Sequence, residues 1–135
     1  MIEKHLIGRL DDLADPGSRE FAIQTAHSSL RGFVVRKRDT VFAYVNRCPH
    51  AGHILNRSPD SFLSVDREKI MCRSHGALFA IDTGVCVEGI CLGERLQRIP
   101  VHLHEGLISL AYDAVQARWV ETQDRFAASE AQPRK

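Results

Sequence analysis

The chain has 135 residues, 44% of them apolar and 26% charged, and its 18 basic and 17 acidic side chains leave a formal net charge of +1. That is the size and make-up of one globular domain with a core of its own, and the near-neutral balance excludes general nucleic-acid binding, which needs a basic surplus. No run approaches the ~18 apolar residues that span a bilayer, and the start, Met1-Ile2-Glu3-Lys4-His5-Leu6, has no apolar run behind a basic stretch, so the expectation is a cytoplasmic protein with no membrane partner.

In chain order, residues 5–10 and 20–25 read as strands joined by a loop, 11–18, rich in Asp, Pro and Gly. Residues 32–38 and 40–45 are β-branched and aromatic around a charged tip at Asp39, a hairpin. A second hairpin pairs residues 62–65 with 69–71 across Asp66-Arg67-Glu68. Residues 77–81 end at Asp82-Thr83-Gly84, a turn signal, and 85–87 return. Residues 99–104 and 107–110 bracket Glu105-Gly106. Many short strands with regular turns predict an all-β antiparallel sandwich or barrel. After Tyr112 the character changes: Tyr112, Val115, Trp119 and Phe126 fall on one face at helical spacing, which predicts a C-terminal helix over about 113–129, with 130–135 frayed. Its apolar side would dock on the domain, or on a second copy or partner. The domain division expected is 1–111 followed by a tail at 112–135.

Two segments carry the chemistry, Cys48-Pro49-His50 and Cys72-Arg73-Ser74-His75. Each brings one thiolate and one imidazole within reach of a metal, directly after a predicted strand. Such donors serve iron–sulfur clusters and zinc alike, so structural zinc stands as the alternative, although Cys-x-His is an uncommon zinc spacing. Gly52 and Gly76 follow closely and permit tight turns. Without an export signal, metal binding is a better reading of these cysteines than disulfides. Cys86 and Cys91 default to buried small apolar residues, with a reversible disulfide as the alternative. His53 is expected to line the loop, and His102 and His104 to share a solvated strand face; Arg31, Arg36, Lys37 and Arg38 form a basic cluster on the first hairpin.

Cys48-Pro49-His50-Ala51-Gly52 resembles the first Rieske box, and residues 72–79, Cys72-Arg73-Ser74-His75-Gly76-Ala77-Leu78-Phe79, resemble the second, with Asp82-Thr83-Gly84 and Glu88-Gly89 as its trailing hairpin. The likeness covers roughly residues 30–110. It implies a 2Fe–2S cluster held between loops 46–56 and 72–79 of a small subdomain, with Cys48 and Cys72 on the inner iron and His50 and His75 on the outer one. One departure is the spacing: 21 residues separate His50 from Cys72, a few more than usual, and the excess falls around residues 56–66 as a loop insertion.

The Rieske proteins of respiratory cytochrome bc complexes carry an extra Cys in each box, joined as a disulfide, where this chain has His53 and Ser74. They also place Ser and Tyr hydroxyls where it has Ala77 and Phe79. Reduction adds negative charge, which hydrogen-bond donors aimed at sulfur would stabilise. Their absence predicts a potential toward the low end of the Rieske range, ~−150 to +300 mV. The resemblance thus implies a Rieske-type ferredoxin, a one-electron carrier taking electrons from a flavin-dependent reductase to a terminal oxygenase or similar enzyme. A small subunit of a larger, nitrite-reductase-like enzyme is the alternative. A catalytic oxygenase is not expected, since only 25 residues follow Leu110 and none is His.

Overall fold

The computed structural model describes residues 2–26, 28–49 and 52–121. Eleven strands run along them: β1 (Ile2–Arg9), β2 (Gly17–Gln24), β3 (Ser29–Lys37), β4 (Thr40–Val45), β5 (Lys69–Met71), β6 (Leu78–Ala80), β7 (Cys86–Glu88), β8 (Arg98–Ile99), β9 (His102–His104), β10 (Leu107–Asp113) and β11 (Arg118–Val120), with one 3-10 turn at Leu10–Asp12. All pairings are antiparallel, in three sheets. One has the order β1-β10-β11, with β9 also on β10; the second is β2-β3-β4-β8; the third is the small sheet β5-β6-β7.

The centre of the molecule is the β3–β4 hairpin, paired from Gly32↔Val45 to Lys37↔Thr40. Successive side chains of a strand point to opposite faces, and here both faces are covered. Phe33, Val35 and Tyr44 belong to the core shared with the small sheet. Val34 and Val41 pack instead with Ile108, and Ala43 with Ile99 and Leu110, between the two larger sheets. The expected all-β antiparallel fold is therefore present, as two packed four-stranded sheets with a small subdomain on one side. Tyr44 anchors that subdomain: its hydroxyl donates to the Ile81 carbonyl at 2.6 Å, and burial pushes its pKa up to about 12.

Two expectations need correction. The helix predicted from residue 113 is absent from 113–121. There β10 continues to Asp113, a turn follows, and β11 folds back with Tyr112↔Trp119 in register. Both the Val115 and Gln116 N–H groups donate to the Asp113 carboxylate, a local arrangement that turns the chain. The apolar helix face suggested for self-association is thus not formed there, and the remainder of the predicted helix, 122–129, lies outside the described residues. The single strand predicted over 99–104 is split at Pro100, which cannot donate to a ladder: β8 belongs to the second sheet and β9 to the first. Among the described residues no helix is long and apolar enough to cross a membrane.

Candidate metal centre

The two Cys–His segments sit on the loops leaving β4 and β5, and the loops have the same construction. In the first, the Cys48 N–H donates to the His53 carbonyl at 2.7 Å and the Gly52 N–H to the Cys48 carbonyl at 2.8 Å. In the second, the Cys72 N–H donates to the Ala77 carbonyl and the Gly76 N–H to the Cys72 carbonyl, both at 2.9 Å. Each loop thus closes on its cysteine through a glycine four positions on, and both glycines have φ of +74°, the left-handed region that other residues enter at a cost. A further bond from the Arg73 N–H to the Leu55 carbonyl, 2.8 Å, ties one loop to the other.

Cys48 and Cys72 are each 1% exposed and belong to one apolar core with Leu55, Phe62, Ile70 and Phe79. His75 and His53 are exposed. His50, and Ala51 beside it, lie outside the described residues. Two loops therefore bury their thiols in a common core while one of the predicted imidazoles reaches solvent. The positions where hydroxyls were noted as missing, Ala77 and Phe79, are buried and apolar.

The first loop is held by polar residues that the motif reading did not single out. Asn46, buried, accepts from the Leu55 N–H at 2.8 Å through Oδ1 and donates through Nδ2 to Asn56 Oδ1 at 2.9 Å. Asn56 Nδ2 donates in turn to Glu20 Oε1 at 3.1 Å, and Arg31 Nη2 donates to Glu20 Oε2 at 2.6 Å. The Arg31 hydrogen bond is the main reason that the Glu20 carboxyl is held below its ordinary value, against the opposing effect of burial. Asn46 and Asn56 stand at the two ends of the loop, and two Asn flanking a Cys–His segment was the signal available in the sequence.

The extra length between the boxes serves the same scaffold. Phe62 is fully buried and stacks on Phe33 with ring centroids 4.2 Å apart. The Met71 N–H donates to the Phe62 carbonyl at 2.9 Å. Arg73, inside the second box, donates to Ser61 Oγ and the Leu63 carbonyl at 2.9 and 2.8 Å. Asp60 accepts from the Glu20 N–H at 2.8 Å and, through its carbonyl, from the Ser18 hydroxyl at 2.7 Å, so the stretch also caps the outer edge of β2.

The remaining candidates separate. Cys86 and Cys91 are fully buried, with sulfur atoms 3.0 Å apart. His104, half-exposed, lies 4.0 Å from Glu105. Arg36 of the basic cluster is turned inward, donating to the Leu10 and Leu13 carbonyls. His27 lies outside the described residues. Among the described residues no three His, Cys, Asp or Glu side chains gather as ligands of one ion. A binuclear cluster with two ligands on each metal asks for pairs instead, and two buried thiolates on matched loops, with an exposed imidazole alongside, fit that donor set.

Comparison with known proteins agrees with the fold. The sequence profile described as Rieske [2Fe-2S] domain matches residues 4–102. No curated protein matches the chain in sequence. Among solved structures, the terminal oxygenase of carbazole 1,9a-dioxygenase from Novosphingobium sp. KA1 is similar with a TM-score of 0.65 and 19% identity, over 90% of this chain and 31% of that one. The ferredoxin of carbazole 1,9a-dioxygenase from Nocardioides aromaticivorans IC177 gives 0.59 and 23%, over 78% of this chain and 94% of that one. A chain from a complex of reduced oxygenase and oxidized ferredoxin in carbazole 1,9a-dioxygenase gives 0.60 and 22%, over 76% and 96%. The chain thus spans about a third of the oxygenase and nearly all of the ferredoxin.

Proposed function

Because the chain belongs to the Rieske [2Fe-2S] domain family, whose match covers residues 4–102, we propose that it is a one-electron carrier of the ferredoxin kind. Cys48 and Cys72 are its ligands on the inner iron, and His50 and His75 those on the outer iron. When bound, the 2Fe–2S cluster supplies reversible uptake of a single electron. The observation that carries this reading is the pair of matched loops, with both thiols buried in one apolar core and His75 exposed. Buried Cys48 and Cys72 keep water from the ligand sulfurs, and His75 offers the contact through which a partner exchanges the electron. The partners proposed are a flavin-dependent reductase and a terminal oxygenase, by analogy with the ferredoxin–oxygenase complex among the structural neighbours, in the cytoplasm.

The test is direct. The chain reconstituted anaerobically with iron and sulfide should be red-brown, hold two iron and two sulfide per chain, and show a rhombic EPR signal on reduction. NADH with a flavin-dependent ferredoxin reductase should reduce it, and cytochrome c should reoxidise it. Replacement His75→Cys should retain iron and lower the potential, because an anionic ligand replaces a neutral one. A colourless, zinc-loaded protein, or an H75C variant with unchanged spectrum and potential, would refute the assignment.

A further inference from the structure

Cys86 and Cys91 take no part in the proposed ligand set, yet the fold brings them together. Cys86 lies on β7, with Phe79 as its partner on β6. The chain then loops out and returns so that the Cys86 N–H donates to the Glu94 carbonyl at 2.7 Å and the Gly93 N–H to the Cys86 carbonyl at 3.0 Å. Within this closed loop the two side chains are fully buried, the Cys91 thiol donates to the Cys86 sulfur at 3.0 Å, and Cys86 donates to the Glu88 carbonyl at 3.4 Å. Both are free thiols. Burial, then Cys86 itself and then the neighbouring Cys48, push the Cys91 thiol up to about 12. The loop also leans on the second box: a Cβ placed on Gly89 would stand 3.0 Å from the Ala77 Cα.

We propose that Cys86 and Cys91 are a dithiol–disulfide site, an intramolecular cross-link behind the cluster-binding loops and separate from their ligands. Sulfurs already in contact need only a small approach to bond, and the loop that joins them is closed before the bond forms. In the step, the Cys86 and Cys91 S–H bonds break and one S–S bond forms. Two protons and two electrons leave, and the oxidant is a small-molecule disulfide, which is reduced to two thiols by exchange through a mixed disulfide. Both sulfurs are fully buried, so exchange proceeds through openings of the loop. Ile90 and Leu92, on either side of Cys91, are each 68% exposed, so the loop that must open lies at the surface. Once formed, the cross-link fixes the wall against which Ala77 rests.

The experiment uses the cluster-loaded full chain, incubated anaerobically in buffers of oxidised and reduced dithiothreitol at stepped ratios, then quenched in acid, denatured, alkylated and digested with trypsin. Cys86 and Cys91 fall in one tryptic peptide, residues 74–95, apart from Cys48 and Cys72. The expected result is that this peptide becomes lighter by two hydrogens and loses both alkylation sites as the ratio rises. Cys48 and Cys72 stay alkylatable, the visible spectrum persists, and the melting temperature rises by a few degrees. Either Cys86→Ser or Cys91→Ser should abolish the mass change, while the wild-type peptide map stands by itself if a variant fails to fold. The proposal is overturned if the peptide keeps both alkylation sites at every ratio, or if the lost thiols map to Cys48 or Cys72. The peptide map does not depend on which metal the four ligands hold, so its failure and that of the carrier reading are distinguishable.

Discussion

Ala77 and Phe79 bear on the proposed electron uptake through what they lack. Both are buried beside Cys72 in the core, and neither carries a hydroxyl. A donor aimed at sulfur stabilises the charge that reduction adds. A hydrogen bond of ~1 kcal/mol in favour of the reduced state corresponds to a shift of about 40 mV for one electron. Replacement Ala77→Ser should therefore raise the midpoint by about that amount, read by voltammetry on the reconstituted chain. The wild-type value should lie toward the low end of the Rieske range. A wild-type midpoint well above zero would show that other donors had taken the place of the missing hydroxyls.

The elements that matter most are the first box loop and the strand it leans on. Glu20 of β2 accepts from Asn56 and Arg31, and its carboxyl is held below the ordinary 4.5. A depressed carboxyl contributes stability in full above the unfolded value and loses it as pH falls through the folded one. Replacement Glu20→Gln puts an amide N–H₂ against one of the donors, Arg31 or Asn56, and should cost ~1–2 kcal/mol at neutral pH. The gap in melting temperature between wild type and variant should narrow as the pH is lowered from neutral through and below the ordinary carboxylate range, as Glu20 itself takes up a proton. A gap that stays constant with pH would mean that the network holds without the charge. The flanking Asn46 and Asn56 could have been read from the sequence, but the part of Glu20 could not, because β2 is carried to the first box loop only by the pairing of β2 with β3 and of β3 with β4. The hairpin residues themselves were legible, since alternation over 32–45 dictates two buried faces. The equal Cys-to-Gly spacing of the two loops could also have been read, although the Cys-to-His spacings differ. The helix predicted after Tyr112 failed for a geometric reason. A seven-residue separation puts Tyr112 and Trp119 on one helix face, and it also puts them opposite each other across a four-residue turn, as the ring centroids 4.9 Å apart show.

At the scale of the whole molecule, the small sheet cannot stand alone. Its three strands have three residues each, the short end of the usual range, and its core is completed only with Phe33, Val35 and Tyr44 of the central hairpin. The stretch between the two boxes belongs to the same unit, because Phe62 supplies the ring that stacks on Phe33 and Arg73 of the second box is anchored on Ser61 and Leu63. The stretch expected as a loop insertion thus gives Phe62 and Leu63 to the core, while 57–60 and 65–66 stay exposed. Removal of a buried aromatic ring costs ~3–5 kcal/mol, so Phe62→Ala should lower the melting temperature by roughly 10 °C or more. Since the central hairpin is a wall of both cores, loss of the cluster's visible absorbance and loss of the far-ultraviolet β signal should coincide in one transition, in wild type and variant alike. Absorbance lost well before the β signal would show instead that the cluster-binding loops open as a unit of their own, leaving the two larger sheets folded.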